Sequence, residues 1–392
     1  MWLGLIGAIA VVPLYWLLVP ARWRREAVLL GSVAALAAGD PRLALLVLAV
    51  GAILILLLRT LPTAGVMAGR ALATAGLAGL LALFVWNKLG GGHGGGLLPS
   101  QGGLVFLGVS YLVLKASAAI VDAARGDLPP TPSRDVLAWL AFLPTYPAGP
   151  MADLEHFAVQ QPAFDRTRAL PGLERILIGL FKSLVVAHAL GQWADPLVLH
   201  PEAFGRGALL LGLYALSVRF YLDFAGYSDV AIGLAALYGF DIEENFDHPL
   251  TRRNLVLLWQ HWHMTLTRWL RRYLFIPLTR WLLRHGGRTG DRLGPIVGQV
   301  VTMTFCGLWH GLAWSFALWG LLQAVGLIWV GVAARPLASR LPQELVRWWR
   351  TSPVARACST GLSLTYFSAT IIFVVTDVSS GARYLGRVVG LF

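Results

Sequence analysis

The sequence predicts an all-α protein that crosses a membrane many times. Of its 392 residues, 57% are hydrophobic and 13% are charged. A soluble chain carries roughly twice that charged share. Mean hydropathy is +0.65, and long apolar runs recur from one end to the other. Lipid offers backbone groups no partner, so such runs read as helices. No repeat period is evident, and residues 1–392 read as a single membrane-embedded domain.

The net charge of +12 comes almost entirely from arginine; the lysines are Lys88, Lys115 and Lys182. Arginine-rich cytoplasmic loops account for it through the positive-inside rule, and no solvated basic domain exists to hold nucleic acid. Cys306 and Cys358 match no paired-ligand spacing, so neither a disulfide framework nor a metal site is expected.

Residues 2–19 make a first span. The N-terminus has no basic leader segment, so this run is expected to stay in the membrane. Arg22, Arg24 and Arg25 follow, which places that loop in the cytoplasm and the N-terminus outside. Residues 27–38 form a short helix ending at the Gly39-Asp40-Pro41 turn, and 42–58 and 65–87 form two more. The Gly-rich run from Gly90 to Gly96 reads as a linker with a solvated His93. A helix is expected at 103–124. Residues 136–152, with Pro144, Pro147, Gly149 and Pro150, are too broken for a span and read as re-entrant or interfacial.

Residues 173–198 form a helix, and 207–240 one long apolar run with a polar cluster. Within it Arg219, Asp223 and Tyr227 are spaced to share a helix face, with Asp229 just beyond. An Arg219–Asp223 pair limits the cost of either charge in lipid, and serves equally as a structural lock or as part of a site. Residues 254–283, dense in Trp and Arg, read as a helix near the cytoplasmic interface that turns near Pro277. His261 and His263 cannot face the same way on a regular helix. Residues 284–292 read as a basic loop, 295–313 as helix continuing to about 333, 335–356 as a polar connector, and 357–376 as the last helix.

The stretch Val300 to Gly320 is apolar yet carries His310 near its middle. A titratable group at membrane depth is costly and marks a functional site. Cys306, Gly307, Gly311 and Ala313 are small enough to let a helix or ligand approach it, and Trp309 and Trp314 are placed to wall it.

Four motifs, in order, carry a family resemblance: Tyr221-Leu222-Asp223-Phe224-Ala225-Gly226-Tyr227-Ser228-Asp229; Glu244-Asn245-Phe246; Trp262-His263-Met264-Thr265-Leu266-Thr267-Arg268-Trp269-Leu270; and Gly307-Leu308-Trp309-His310-Gly311 with Leu318-Trp319-Gly320. Together they resemble membrane-bound O-acyltransferases of the alginate O-acetylation and teichoic-acid D-alanylation branch. That resemblance implies a bundle of roughly ten or eleven transmembrane helices, with re-entrant and interfacial helices around a central tunnel. It implies His310 as the catalytic residue and His263 as the second histidine. The candidate substrate-binding residues are Asp223, Tyr227, Asp229, Trp259, Trp309 and Trp314.

The activity it implies is transfer of an acyl group, most simply acetyl, from a cytoplasmic thioester to a hydroxyl outside. No cofactor is expected to stay bound. The donor substrate is an acyl-coenzyme A or an acyl-carrier protein, and the acceptor an extracytoplasmic polysaccharide or a periplasmic partner protein. A multi-pass protein of the bacterial inner membrane fits these roles. Imidazole suits the general base, and Cys306, one turn before His310, reads as packing rather than as nucleophile. An alternative is a proton- or ion-coupled transporter built on His310, Asp223 and Lys115, and a third reading is a non-catalytic cell-wall scaffold.

Overall fold

The computed structural model describes residues 2–90, 108–333 and 339–391, and every regular element among them is helical. The run begins with α1 (Trp2–Leu18), α2 (Arg24–Gly39), α3 (Pro41–Thr60) and α4 (Val66–Gly90). The α2–α3 corner forms as the Gly-Asp-Pro signal predicts: Asp40 caps α3 by accepting from the Arg42 N–H at 2.9 Å, and Pro41 fills the first helical position. Next come α5 (Val109–Arg125), α6 (Ser133–Ala141), α7 (Leu154–Val159), α8 (Arg166–Leu180), α9 (His188–Leu199) and the long α10 (Arg206–Leu237). The chain continues through α11 (Leu255–His261), α12 (Met264–Leu270), α13 (Ile276–His285), α14 (Gly287–His310) and α15 (Trp314–Ile328). It closes with α16 (Gln343–Thr351), α17 (Pro353–Val375) and α18 (Val378–Val389). The expected linker with His93 lies outside the described residues beyond Gly90.

Among the described residues, five helices are long and apolar enough to cross a membrane: Pro41–Thr63, Val66–Gly90, Arg206–Leu237, Trp314–Val332 and Pro353–Val375. On α4, Leu72, Leu81, Trp86 and Leu89 are exposed. An apolar face of that kind suits lipid rather than water.

Four expectations change. Residues 254–283 are not one helix turning at Pro277. The break falls at Trp262-His263, and Pro277 lies near the start of α13, directly after the π-helical turn Arg271–Phe275, with no turn of the chain there. The basic 284–292 segment is mostly the start of α14. The 335–356 connector contains α16 and the first turn of α17. A further helix, α18, follows the expected last one, because Asp377 caps it by accepting from the Ser379 and Ser380 N–H groups at 2.8 and 3.0 Å.

The described residues fall into two compact units. One takes the chain up to Leu180 together with Gly226–Glu244; the other takes Phe181–Ala225 and Asn245–Phe392. In the first unit, the broken segment after α6 is buried, with Phe142, Thr145, Tyr146, Met151 and Ala152 all inside. Side chains cover its backbone. Trp139 Nε1 donates to the Ala152 carbonyl at 2.8 Å, and the Tyr227 hydroxyl donates to the Pro144 carbonyl at 2.9 Å. Lys115 is buried over the Trp139 ring, 4.6 Å from its centroid, and donates to the Trp139 carbonyl. That use ties α5 to α6, so the position has a structural purpose. Arg25 and Asp135 form a buried ion pair at 2.8 Å between α2 and α6.

In the second unit, α14 and α15 cross at two glycines. A Cβ on Gly307 would strike the Phe316 carbonyl, and one on Gly320 the Met303 carbonyl. The small residues beside His310 therefore admit a helix. Gly307→Ala is expected to destabilise the fold by about 1–3 kcal/mol, because backbone must move to relieve the clash. Thermal unfolding in detergent measures it, and an unchanged midpoint would contradict the crossing.

Candidate active site

His310 is the last residue of α14, where Gly311 leaves the helix in an extended conformation and α15 opens at Trp314. The imidazole thus stands at a joint between helices rather than in mid-span, and it is exposed. Two indoles meet it edge-to-face: Trp309, with ring centroids 4.8 Å apart, and Trp319, at 5.4 Å. Cys306, one turn earlier, is buried and in no disulfide among the described residues. Trp314 is 85% exposed, so its ring faces away from the packed interior of this unit.

His263 sits between α11 and α12 with φ 43° and ψ 54°, the left-handed region that histidine tolerates better than most residues. Unlike His310 it is buried. Asn245 fixes it: the Asn245 carbonyl accepts from the Met264 N–H at 2.8 Å, and Asn245 Oδ1 accepts from the Thr265 hydroxyl at 2.9 Å and the Thr265 N–H at 3.4 Å. A backbone N–H only donates, so the atom it meets must be the amide oxygen. His263 Nδ1 lies 3.1 Å from that same oxygen and must therefore carry a proton. In the neutral ring, Nε2 is then the acceptor nitrogen. Phe224 and Phe246 pack against the ring. Burial holds the His263 pKa well below its ordinary value, and His310, within electrostatic reach, pushes it the same way. His261 points elsewhere, with Nδ1 2.7 Å from the Leu257 carbonyl and Nε2 3.5 Å from Asp247.

Asn245→Ala is expected to cost about 1–3 kcal/mol, since it leaves buried donors without their acceptor. It should also slow the site's reaction by roughly tenfold or more through misplacement of His263. Thermal unfolding and rate are measured on one preparation, and a fall in neither would refute the brace.

Trp319 contributes a feature of another kind. It is buried, and its indole N–H has no hydrogen-bond acceptor among the described residues. Such a donor is costly and calls for an explanation. Its neighbour Trp259, with ring centroids 6.0 Å away, has no such need. Trp259 Nε1 donates to Gln323 Oε1 at 3.0 Å, and Gln323 Nε2 to Thr370 Oγ1 at 2.6 Å. That chain pins α11 to α15 and α17.

The model of the MBOAT, membrane-bound O-acyltransferase family, matches residues 80–374. The chain belongs to the membrane-bound O-acyltransferase family. It is 34% identical over 223 residues to a probable alginate O-acetylase of Azotobacter vinelandii, covering 55% of this chain and 42% of that protein. It is 29% identical to a teichoic acid D-alanyltransferase of Bacillus subtilis, covering 58% of this chain and 59% of the other. It is 32% identical to a peptidoglycan O-acetyltransferase of Helicobacter pylori, covering 49% and 36% respectively. The chain spans about half the length of the curated relatives it matches.

The polar cluster of α10 does not pair as its spacing predicts. Arg219 turns from Asp223 to form an ion pair with Asp195 of α9. Asp223 accepts from the Ser183 hydroxyl at 2.5 Å. Within the first unit, Asp229 pairs with Arg175 at 2.8 Å, and Arg175 reaches both oxygens of Glu244 at 2.5 Å. The Tyr227 hydroxyl donates to Pro144 and accepts from the Ala148 N–H at 3.3 Å. The second unit brings His263, His310, Trp309 and, through Trp319, Trp259 into one neighbourhood. Asn245, Thr265 and Trp319 are the residues that the sequence reading left without roles.

Proposed function

We propose that this chain transfers an acyl group, most simply acetyl, from a cytoplasmic thioester to a hydroxyl of an extracytoplasmic polysaccharide or of a periplasmic partner protein. The observation that carries the reading is the exposed His310 at a helix joint, flanked by indoles and within reach of a second, rigidly braced histidine. The family of the chain and the activities named for its relatives support it. A bundle of ten or eleven spans around a tunnel in the bacterial inner membrane, with the N-terminus outside, belongs to the same proposal. The recurring apolar runs and the arginine-rich segments support that part.

The chemistry divides among named groups. His310 accepts the proton of the attacking hydroxyl as its oxygen bonds to the thioester carbon. The carbonyl oxygen gains charge and calls for a donor. His263, with Nδ1–H directed at Asn245, is proposed to orient the thioester rather than to donate from Nε2 to the oxyanion. The buried Trp319 N–H is the suitable donor for that oxygen. The carbon–sulfur bond then breaks, and the leaving thiolate takes the proton back from His310. Asp223, Tyr227, Asp229, Trp259, Trp309 and Trp314 remain proposed substrate contacts. Of these Trp309 stands against His310, while the hydroxyl of Tyr227 and the carboxylate of Asp229 are committed within the fold.

Mass spectrometry of envelope polysaccharides from cells with and without an active copy tests the proposal. Loss of an ester mass with the chain, restored by wild type and not by a His310 variant, is the expected result. Unchanged ester content refutes it.

A further inference from the structure

Thr251, Arg252, Arg253, Leu257 and Arg356 line a cavity of about 360 Å³ in the second unit. The two walls are tied together by the Thr360 hydroxyl, which donates to the Thr251 carbonyl at 3.5 Å. Three guanidiniums around one cavity repel each other. One carboxylate, Asp247, answers part of that charge: Arg252 Nη2 donates to Asp247 Oδ2 at 2.6 Å and to its carbonyl at 2.8 Å. Asp247 is already shared with His248, 2.9 Å away, and His261, 3.5 Å away. Arg253 and Arg356 are exposed and form no ion pair among the described residues. Arg252 Nε is buried with no acceptor there either.

Arg356 adds a second conflict. It stands in the first turn of α17, which holds no acidic residue. The helix dipole presents positive charge at that end, so a cation there is destabilising. Cations from two segments and a positive helix end thus converge on one space. An anion with several oxygens removes the conflict, and guanidinium forks match phosphate oxygens in pairs.

We propose that this cavity binds a phosphoryl group. Leu257 supplies an apolar wall for whatever carries it. Two carriers share the chemistry. One is the phosphate of a coenzyme A or phosphopantetheine thioester, a source that rests on the acyl-transfer reading. The other is an anionic phospholipid headgroup, which does not.

The test is a binding measurement, so it stays separate from activity. The full chain is placed in nanodiscs of zwitterionic lipid, and radiolabelled coenzyme A is titrated by equilibrium dialysis. In a second arm, phosphatidylglycerol retained by the detergent-purified chain is counted by native mass spectrometry. The expected result is binding in at least one arm, weakened about tenfold or more in R253Q/R356Q. Binding in the first arm assigns the thioester source, and binding in the second the lipid. Because Arg253 is exposed, R253Q alone removes little packing and serves if the pair fails to fold; it should weaken the same probe about threefold or more. Binding of neither probe by wild type, or equal binding by wild type and variants, overturns the proposal.

Discussion

His310→Ala should leave the protein folded and lower acyl transfer by roughly 10²–10⁴-fold, the range for loss of a positioned general base. The structure separates these two outcomes. The ring is exposed at the end of α14 and meets Trp309 and Trp319 edge-on, so truncation opens no sealed cavity. Surface truncations of that kind stay within about 0.5 kcal/mol. The variant's thermal midpoint should therefore match wild type while its rate collapses. Loss of stability and rate together would instead mark His310 as a packing residue. A rate within threefold of wild type would remove it from the mechanism. Added imidazole offers a further readout, since a small base entering the space left by the side chain should restore part of the rate.

The same contrast shows why His263 was harder to read. In the sequence, His261 and His263 lie in an apolar, Trp-rich run that looks like one helix. The helix breaks because Asn245, far back in the chain, draws the Met264 and Thr265 groups to itself and leaves His263 in the left-handed region. Local periodicity carries no trace of that demand. The Gly39-Asp40-Pro41 corner was legible because the cap, the N–H that donates to it and the proline are neighbours in sequence. The Arg219–Asp223 spacing was legible and misleading: a helical neighbour was available, yet Asp195 on another helix took the guanidinium. Spacing gives which groups can meet, and packing decides which do. The motif order singled out His310, while its place at a helix end came only with the fold.

Trp319→Phe should lower the rate by roughly 10²-fold, in the range for loss of one oxyanion donor, and should not lower stability by a comparable amount. Phenylalanine keeps an aromatic ring against His310 and Trp259 but has no N–H. In the folded protein that N–H is buried and unanswered by any acceptor among the described residues. Removing a donor that makes no bond forfeits no hydrogen-bond energy; it relieves a desolvation cost and gives up some packing volume. A purely structural tryptophan would show the reverse, with lost stability and a nearly unchanged rate. The decisive comparison is Trp259→Phe, on the adjoining ring. Its N–H is bonded to Gln323, so that variant should strand the Gln323 oxygen and lose stability first. If both variants lose rate equally and stability equally, Trp319 holds no special place beside His310. If only Trp319→Phe loses rate at constant midpoint, the buried N–H is the group that meets the developing charge. A thioester with a weaker carbonyl acceptor should then lose less on the substitution, because less charge would reach the donor.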